Sequence, residues 1–222
     1  MTFSDRIMKL YRSLEITGPL PEGIEVMNPY KNQEVMDACR RFYSKYYNDN
    51  NGRRLILGIN PGRFGAGVTG IPFTDPKRLE KDCGIKNGFD KKPELSSDFI
   101  YRMIKMMGGP DHFYSHYYIG AVSPLGFKKD GKNYNYYDST ELMHRLKKFI
   151  TKSLVEQVGL GINSRKCYCL GQGKNYEYLQ MLNSDLRLFS EIVPLPHPRW
   201  VMQYRRKKLN EILRQTVKSL VL

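Results

Sequence analysis

Arg53-Arg54-Leu55-Ile56-Leu57-Gly58-Ile59-Asn60 runs straight into Pro61-Gly62, and this stretch decides the fold. Consecutive apolar side chains describe a short strand buried on both faces, and Pro-Gly stops it in a turn. Three more segments have the same look: Tyr117 to Val122, Cys167 to Leu170 and Phe189 to Pro194, each apolar or aromatic and each ending in Gly, Pro or Ser. Helical spacing fills the intervals at about 97–107, 139–158 and 175–182. The alternation predicts an α/β protein, a three-layer αβα sandwich with a central four-stranded, mostly parallel sheet. Ligands of such sheets bind beyond the carboxyl ends of the strands, so the informative residues are those just after each strand.

Upstream, Ile7, Leu10, Tyr11 and Leu14 fall at helical intervals with Ser4 as a cap, and a second helix is expected from Gln33 to about Tyr47. Lys128-Lys129-Asp130-Gly131-Lys132-Asn133 is a charged hairpin or loop in which Asp-Gly suits a type I′ turn. The last helix is expected to begin near Trp200 or Val201, with Leu209, Ile212, Leu213, Val217 and Leu220 as its apolar stripe. A chain of 222 residues reads as one domain, with N-terminal helices over 1–50 and an α/β core over 51–222.

The composition, 41% hydrophobic and 12% aromatic, can build a sizeable core, which excludes intrinsic disorder and a disulfide-stapled miniprotein. Against that ordinary background, 36 Lys+Arg and 22 Asp+Glu leave a net charge of +14. A polyanionic partner accounts for such an excess, and solubility alone is the competing reading. No apolar run reaches the ~18–20 residues that span a bilayer, and the N-terminus lacks a secretion signal, so an intracellular protein is expected. Cys39, Cys83, Cys167 and Cys169 lack C-x-x-C spacing and read as reduced thiols. Cys167 and Cys169 alternate on a strand without a neighbouring His or carboxylate, which favours a buried pair over a metal corner. His112, His116 and His144 fall in no ligand pattern.

Two segments could carry chemistry. Gly58 through Phe73 holds five glycines and two prolines in sixteen residues, a loop that needs special backbone angles or lets a ligand approach closely. It closes with no Gly-Lys-Ser/Thr and lacks G-x-G-x-x-G spacing, so it is neither a Walker loop nor a dinucleotide loop. A tight strand-to-helix connection capped by Asn60 would use the same residues. The second segment, Pro194-Leu195-Pro196-His197-Pro198-Arg199-Trp200, holds His197 extended between two prolines, where a histidine serves structure as readily as catalysis.

Together these segments resemble the uracil-DNA glycosylase superfamily, most closely the single-strand-selective monofunctional type. Gly58 to Phe73 follows its G-x-N-P-G-x-F-G-x-x-x-T-G-x-P-F motif, and His197-Pro198 with Arg199 follows a shortened H-P-x-x-R motif. The resemblance implies excision of uracil or a 5-substituted uracil from single- or double-stranded DNA, leaving an abasic site, without a metal or other cofactor and as a monomer. Asn60 would position the attacking water, and His197 would donate a hydrogen bond to the base as it leaves. Ile59, Gly62, Phe73 and Ser123 would form the base pocket, with Phe73 stacking on the flipped base for ~1–3 kcal/mol. Gly62 stands where uracil-only relatives place a bulky aromatic, which leaves room for a 5-substituent. An asparagine that reads the base edge in the family is replaced by Ala121, with Ser123 or backbone groups left to compensate.

Contacts to DNA are expected from the basic loops after the strands. Arg199 and Trp200 would wedge into the gap left by the flipped nucleotide, Lys174 would meet a phosphate, and Arg205 and Arg206 would extend the track. A solvated positive face is the plain alternative for each. Two other functions remain open: a glycosylase for deaminated purines (xanthine, hypoxanthine) or mismatched bases, and a non-catalytic module for damaged or single-stranded nucleic acid.

Overall fold

The strands, in chain order, are β1 (Ile24–Met27), β2 (Arg53–Gly58), β3 (Tyr117–Ala121), β4 (Gly126–Lys129), β5 (Lys132–Tyr134), β6 (Ile162–Leu170) and β7 (Glu191–Leu195), in a computed structural model that describes residues 1–221. Four of them form an all-parallel sheet in the order β3-β2-β6-β7. The register sets Gly58 beside Ala121 and Leu170 beside Leu195, so all four strands end along one edge. The loops that follow, at 59–65, 122–125, 171–173 and 196–197, therefore emerge side by side. Pro194 can occupy β7 because that strand lies at the rim of the sheet, where a missing N–H is tolerated.

The helices are α1 (Phe3–Ser13), α2 (Gln33–Tyr46), α3 (Ala66–Thr69), α4 (Pro76–Lys81), α5 (Leu95–Met106), α6 (Pro110–His116), α7 (Thr140–Val158), α8 (Lys174–Leu186), α9 (Pro198–Tyr204) and α10 (Leu209–Val221). The αβα sandwich expected from the alternation is what forms. The core is aromatic: Phe3, Phe42, Tyr43, Tyr47, Tyr114 and Tyr118 are all buried against the sheet. Their hydroxyls find partners inside, as in Tyr11 bonding Tyr43 at 2.9 Å and Tyr118 at 3.3 Å. Arg53, with no exposed surface, lies between the rings of Phe3 and Tyr47 and donates both ends of its guanidinium to Asp49.

Several local expectations are corrected. The first helix is capped by Thr2, not Ser4: Thr2 accepts from the Asp5 N–H while Asp5 accepts from the Thr2 N–H, and Ser4 is buried in the first turn. The strand read as Cys167 to Leu170 begins at Ile162, and the one read from Phe189 begins at Glu191. The final helix is two, because exposed Arg205 and a 3₁₀ turn at Arg206–Lys208 separate α9 from α10. Asp130 and Gly131 both take positive φ, 50° and 67°, as a type I′ turn requires. The hairpin they join, β4 and β5, pairs with β1 in a second, antiparallel sheet. β1 carries no clear strand signal in the sequence, since it is only four residues long and none of them is buried.

Candidate active site

The loop after β2 owes its sequence to what surrounds it. A Cβ on Gly58 would stand 2.7 Å from the Phe73 ring, so glycine lets that ring approach the strand end. Phe73 itself has φ 53°, a strained conformation for a bulky residue, of the kind found where the surroundings over-determine a side chain's place. Thr69 fixes the turn that imposes it: its hydroxyl donates to the Thr74 carbonyl at 2.6 Å and accepts from the Ile71 N–H at 3.2 Å. At Gly65 an added Cβ would lie 2.0 Å from Glu94 Oε2. That glycine clears space for an acid which reaches the loop from the start of α5.

Asn60 is anchored by the segment that follows the hairpin. Its Oδ1 accepts from the Tyr136 N–H at 3.2 Å, and its Nδ2 donates to the Tyr134 carbonyl at 3.3 Å. Carbonyls only accept and N–H groups only donate, so these two bonds settle the amide's orientation. Tyr136 is in turn fixed through its hydroxyl, which donates to Asn175 Oδ1 at 2.8 Å. His197 is the N-cap residue of α9, extended at φ −69° and ψ 125°, with Pro198 opening the helix behind it. Burial, and then the Arg199 charge, lower its pKa to about 4, so the imidazole is neutral at physiological pH.

A cleft of about 840 Å³ brings these groups together. Ile59, Asn60, Gly62 and Phe73 from the first motif and Lys174, His197, Arg199 and Trp200 from beyond β6 and β7 line it together. A smaller recess of about 40 Å³ continues inward past Asn60 and Phe73 to Ala121 and Gln157. Three expected site residues lie elsewhere. Ser123 is fully buried and spends its hydroxyl on the Leu125 carbonyl at 2.8 Å while its N–H holds the Ile59 carbonyl, so it braces the loop and lines neither space. Arg205 stacks over the Trp200 ring at 4.8 Å, and Arg206 sits in the exposed 3₁₀ turn, both outside the cleft lining.

The structure adds groups that sequence reasoning passed over. Glu94 lines both spaces, and its pKa is raised, first by burial, against a lowering hydrogen bond from Ser97. Nothing at position 94 marks it in the sequence, because α5 delivers it from outside both motifs. Arg63 and Phe64 extend the rim, the guanidinium lying 4.5 Å from the ring centroid. Among the described residues no cluster of His, Cys, Asp and Glu could hold a metal, and no helix is long and apolar enough to cross a membrane.

Asn60, Phe73 and His197 thus share one cleft past the strand ends of a parallel sheet. Residues 44–221 match the profile of the Uracil DNA glycosylase superfamily, and the protein belongs to it. Its structure is similar to that of wild-type SMUG2 from Pedobacter heparinus, with 44% identity and a TM-score of 0.97 over 99% of this chain and 97% of that one. No curated protein matches the sequence.

Proposed function

We propose that this protein is a monofunctional DNA glycosylase that flips uracil, or a 5-substituted uracil, out of DNA and hydrolyses its N-glycosidic bond to leave an abasic site. The observation that carries the reading is the shared cleft, to which Asn60 and His197 both contribute beside Phe73. Heterolysis of the bond leaves a cationic deoxyribose and a uracil anion whose charge gathers on O2. Neutral His197 donates to that oxygen, and a donor already aimed at the developing charge costs no reorganisation when it forms. Oδ1 of Asn60 keeps a second lone pair for a water, which adds to C1′ with net transfer of its proton to the departing uracil anion. An amide is too weak a base to deprotonate that water beforehand, so bond breaking leads and attack follows.

The net charge of +14 and the Lys174, Arg199 and Trp200 wall support DNA as the partner of an intracellular repair enzyme. A second reading, excision of deaminated purines, draws on Ala121: with no long side chain there, the recess extends beyond β3 toward Gln157 and favours a larger base. The test is a panel of single- and double-stranded oligonucleotides carrying uracil, 5-hydroxymethyluracil, hypoxanthine or xanthine. Uracil release supports the first reading, purine release without uracil the second, and tight binding without release of any base a non-catalytic module.

A further inference from the structure

Deamination leaves the same mark on cytosine and on adenine. Both carry a ring nitrogen with a lone pair beside an exocyclic amine, whereas their products, uracil and hypoxanthine, carry a ring N–H beside a carbonyl. A buried acceptor facing that position receives a hydrogen bond from the deaminated base and meets a lone pair in the parent. Readout of this kind discriminates strongly, because the wrong partner leaves a buried polar group unpaired.

Ala121 offers no such acceptor, but the side chain behind it does. Gln157, near the end of α7, is 1% exposed and lines the inner recess together with Asn60, Phe73 and Ala121. Its Nε2 donates to the Ala121 carbonyl at 3.0 Å, a bond that identifies the nitrogen and leaves Oε1 as the other atom. That oxygen stands 2.1 Å from where a Cβ on Gly120 would be, so glycine at 120 is what admits the amide to the end of β3. No hydrogen bond among the described residues uses Oε1, which keeps its lone pairs for a ligand.

We propose that Gln157 reads the edge of the flipped base, its Oε1 accepting the ring N–H that uracil and hypoxanthine present and that cytosine and adenine lack. The inference rests on the glycosylase reading above and adds the residue that selects the substrate. It also accounts for the glycine at 120, which makes room for the amide.

The test compares the wild type with Gln157→Met, of similar length but without an acceptor, and Gln157→Glu. Single-turnover uracil release is measured alongside affinity for an oligonucleotide carrying a tetrahydrofuran abasic analogue, which has no base to read. Gln157→Met is expected to lose about 30-fold in rate with abasic-analogue affinity unchanged. Burial beside a carbonyl raises a carboxyl's pKa toward neutrality, and in its protonated form Gln157→Glu donates to Ala121 and presents a carbonyl oxygen to the recess. Its rate relative to wild type should therefore rise as pH falls from 8 to 5.5. The other titratable groups lining the recess are Glu94, common to all three proteins, and Tyr11, Tyr30 and Tyr118, which burial holds far above this range.

An unchanged rate in Gln157→Met, or a loss matched by equal loss of abasic-analogue affinity, overturns the proposal. Should that variant fail to fold, the Gln157→Glu profile decides alone, a flat ratio to wild type counting against it. A wild type that releases no base from any lesion instead removes the glycosylase reading, a result distinct from either.

Discussion

The peptide N–H of Tyr136 donates to Oδ1 of Asn60 at 3.2 Å, across 76 positions of sequence. This bond sets the carboxamide's orientation before any substrate arrives, and the proposed mechanism has Asn60 hold a water rather than grip DNA. Asn60→Ala should reduce single-turnover base release by about 10³-fold, with oligonucleotide affinity by fluorescence anisotropy within about threefold of wild type. Parallel losses of rate and affinity would assign the residue to binding.

His197 makes a prediction about pH. Its pKa is lowered to about 4 by burial and by Arg199, against 6.5 in an unfolded chain. Between those values the unfolded state takes up a proton that the folded state refuses, so stability falls as pH drops from 6.5 toward 4. The loss is at most ~3–4 kcal/mol, and well above pH 6.5 the contribution is fully present. Urea melts at pH 7 and pH 4.5 of wild type and His197→Asn measure it: the difference between the two pH values should shrink in the variant.

Gly65 and Glu94 form a second pair. A methyl group at 65 would meet the Glu94 carboxylate 2.0 Å away, so Gly65→Ala must displace either the acid or the loop that carries Asn60. Activity of Gly65→Ala should fall at least tenfold, and shortening the acid in Gly65→Ala/Glu94→Ala should restore part of the loop's order, read as recovered affinity for the abasic analogue. An active Gly65→Ala protein would show that the loop tolerates the displacement.

Arg53 tests the scaffold rather than the site. Besides Asp49, its guanidinium serves the carbonyls of Tyr114 at 2.7 Å, Tyr46 at 3.2 Å and Asn51 at 3.1 Å. Arg53→Met keeps the bulk between Phe3 and Tyr47 but strands these acceptors, and should cost ~3–5 kcal/mol in denaturant unfolding. A loss below about 1 kcal/mol would mean that water replaces the guanidinium.

What the sequence disclosed and what it hid follow from distance along the chain. β2, β3 and β7 are short apolar runs bounded by Gly, Pro or Ser, and the loops that hold Asn60 and His197 each follow one of them, so strand pattern and motif pointed to the same edge. Glu94 and Gln157 reach that edge from the start of α5 and the end of α7, and no local pattern marks a helix position whose side chain turns toward a neighbouring site. At Ser123 a hydroxyl near a strand end looks available in the sequence, whereas its partner in the fold is the Leu125 carbonyl. The Thr2 cap and the break at Arg205–Lys208 depend on single hydrogen bonds and on a charged turn, which hydrophobic periodicity does not register.

The most direct test of the account is single-turnover uracil release from a single-stranded oligonucleotide by wild type, Asn60→Ala, His197→Ala and the double variant, followed by alkaline cleavage at the abasic site. The two groups serve one reaction, His197 the departure of the base and Asn60 the water that captures the sugar cation, so the account predicts release by the wild type, a loss of about 10²-fold or more in each single variant, and a double variant well short of the product of the two losses. Wild-type rates retained in both single variants would contradict it.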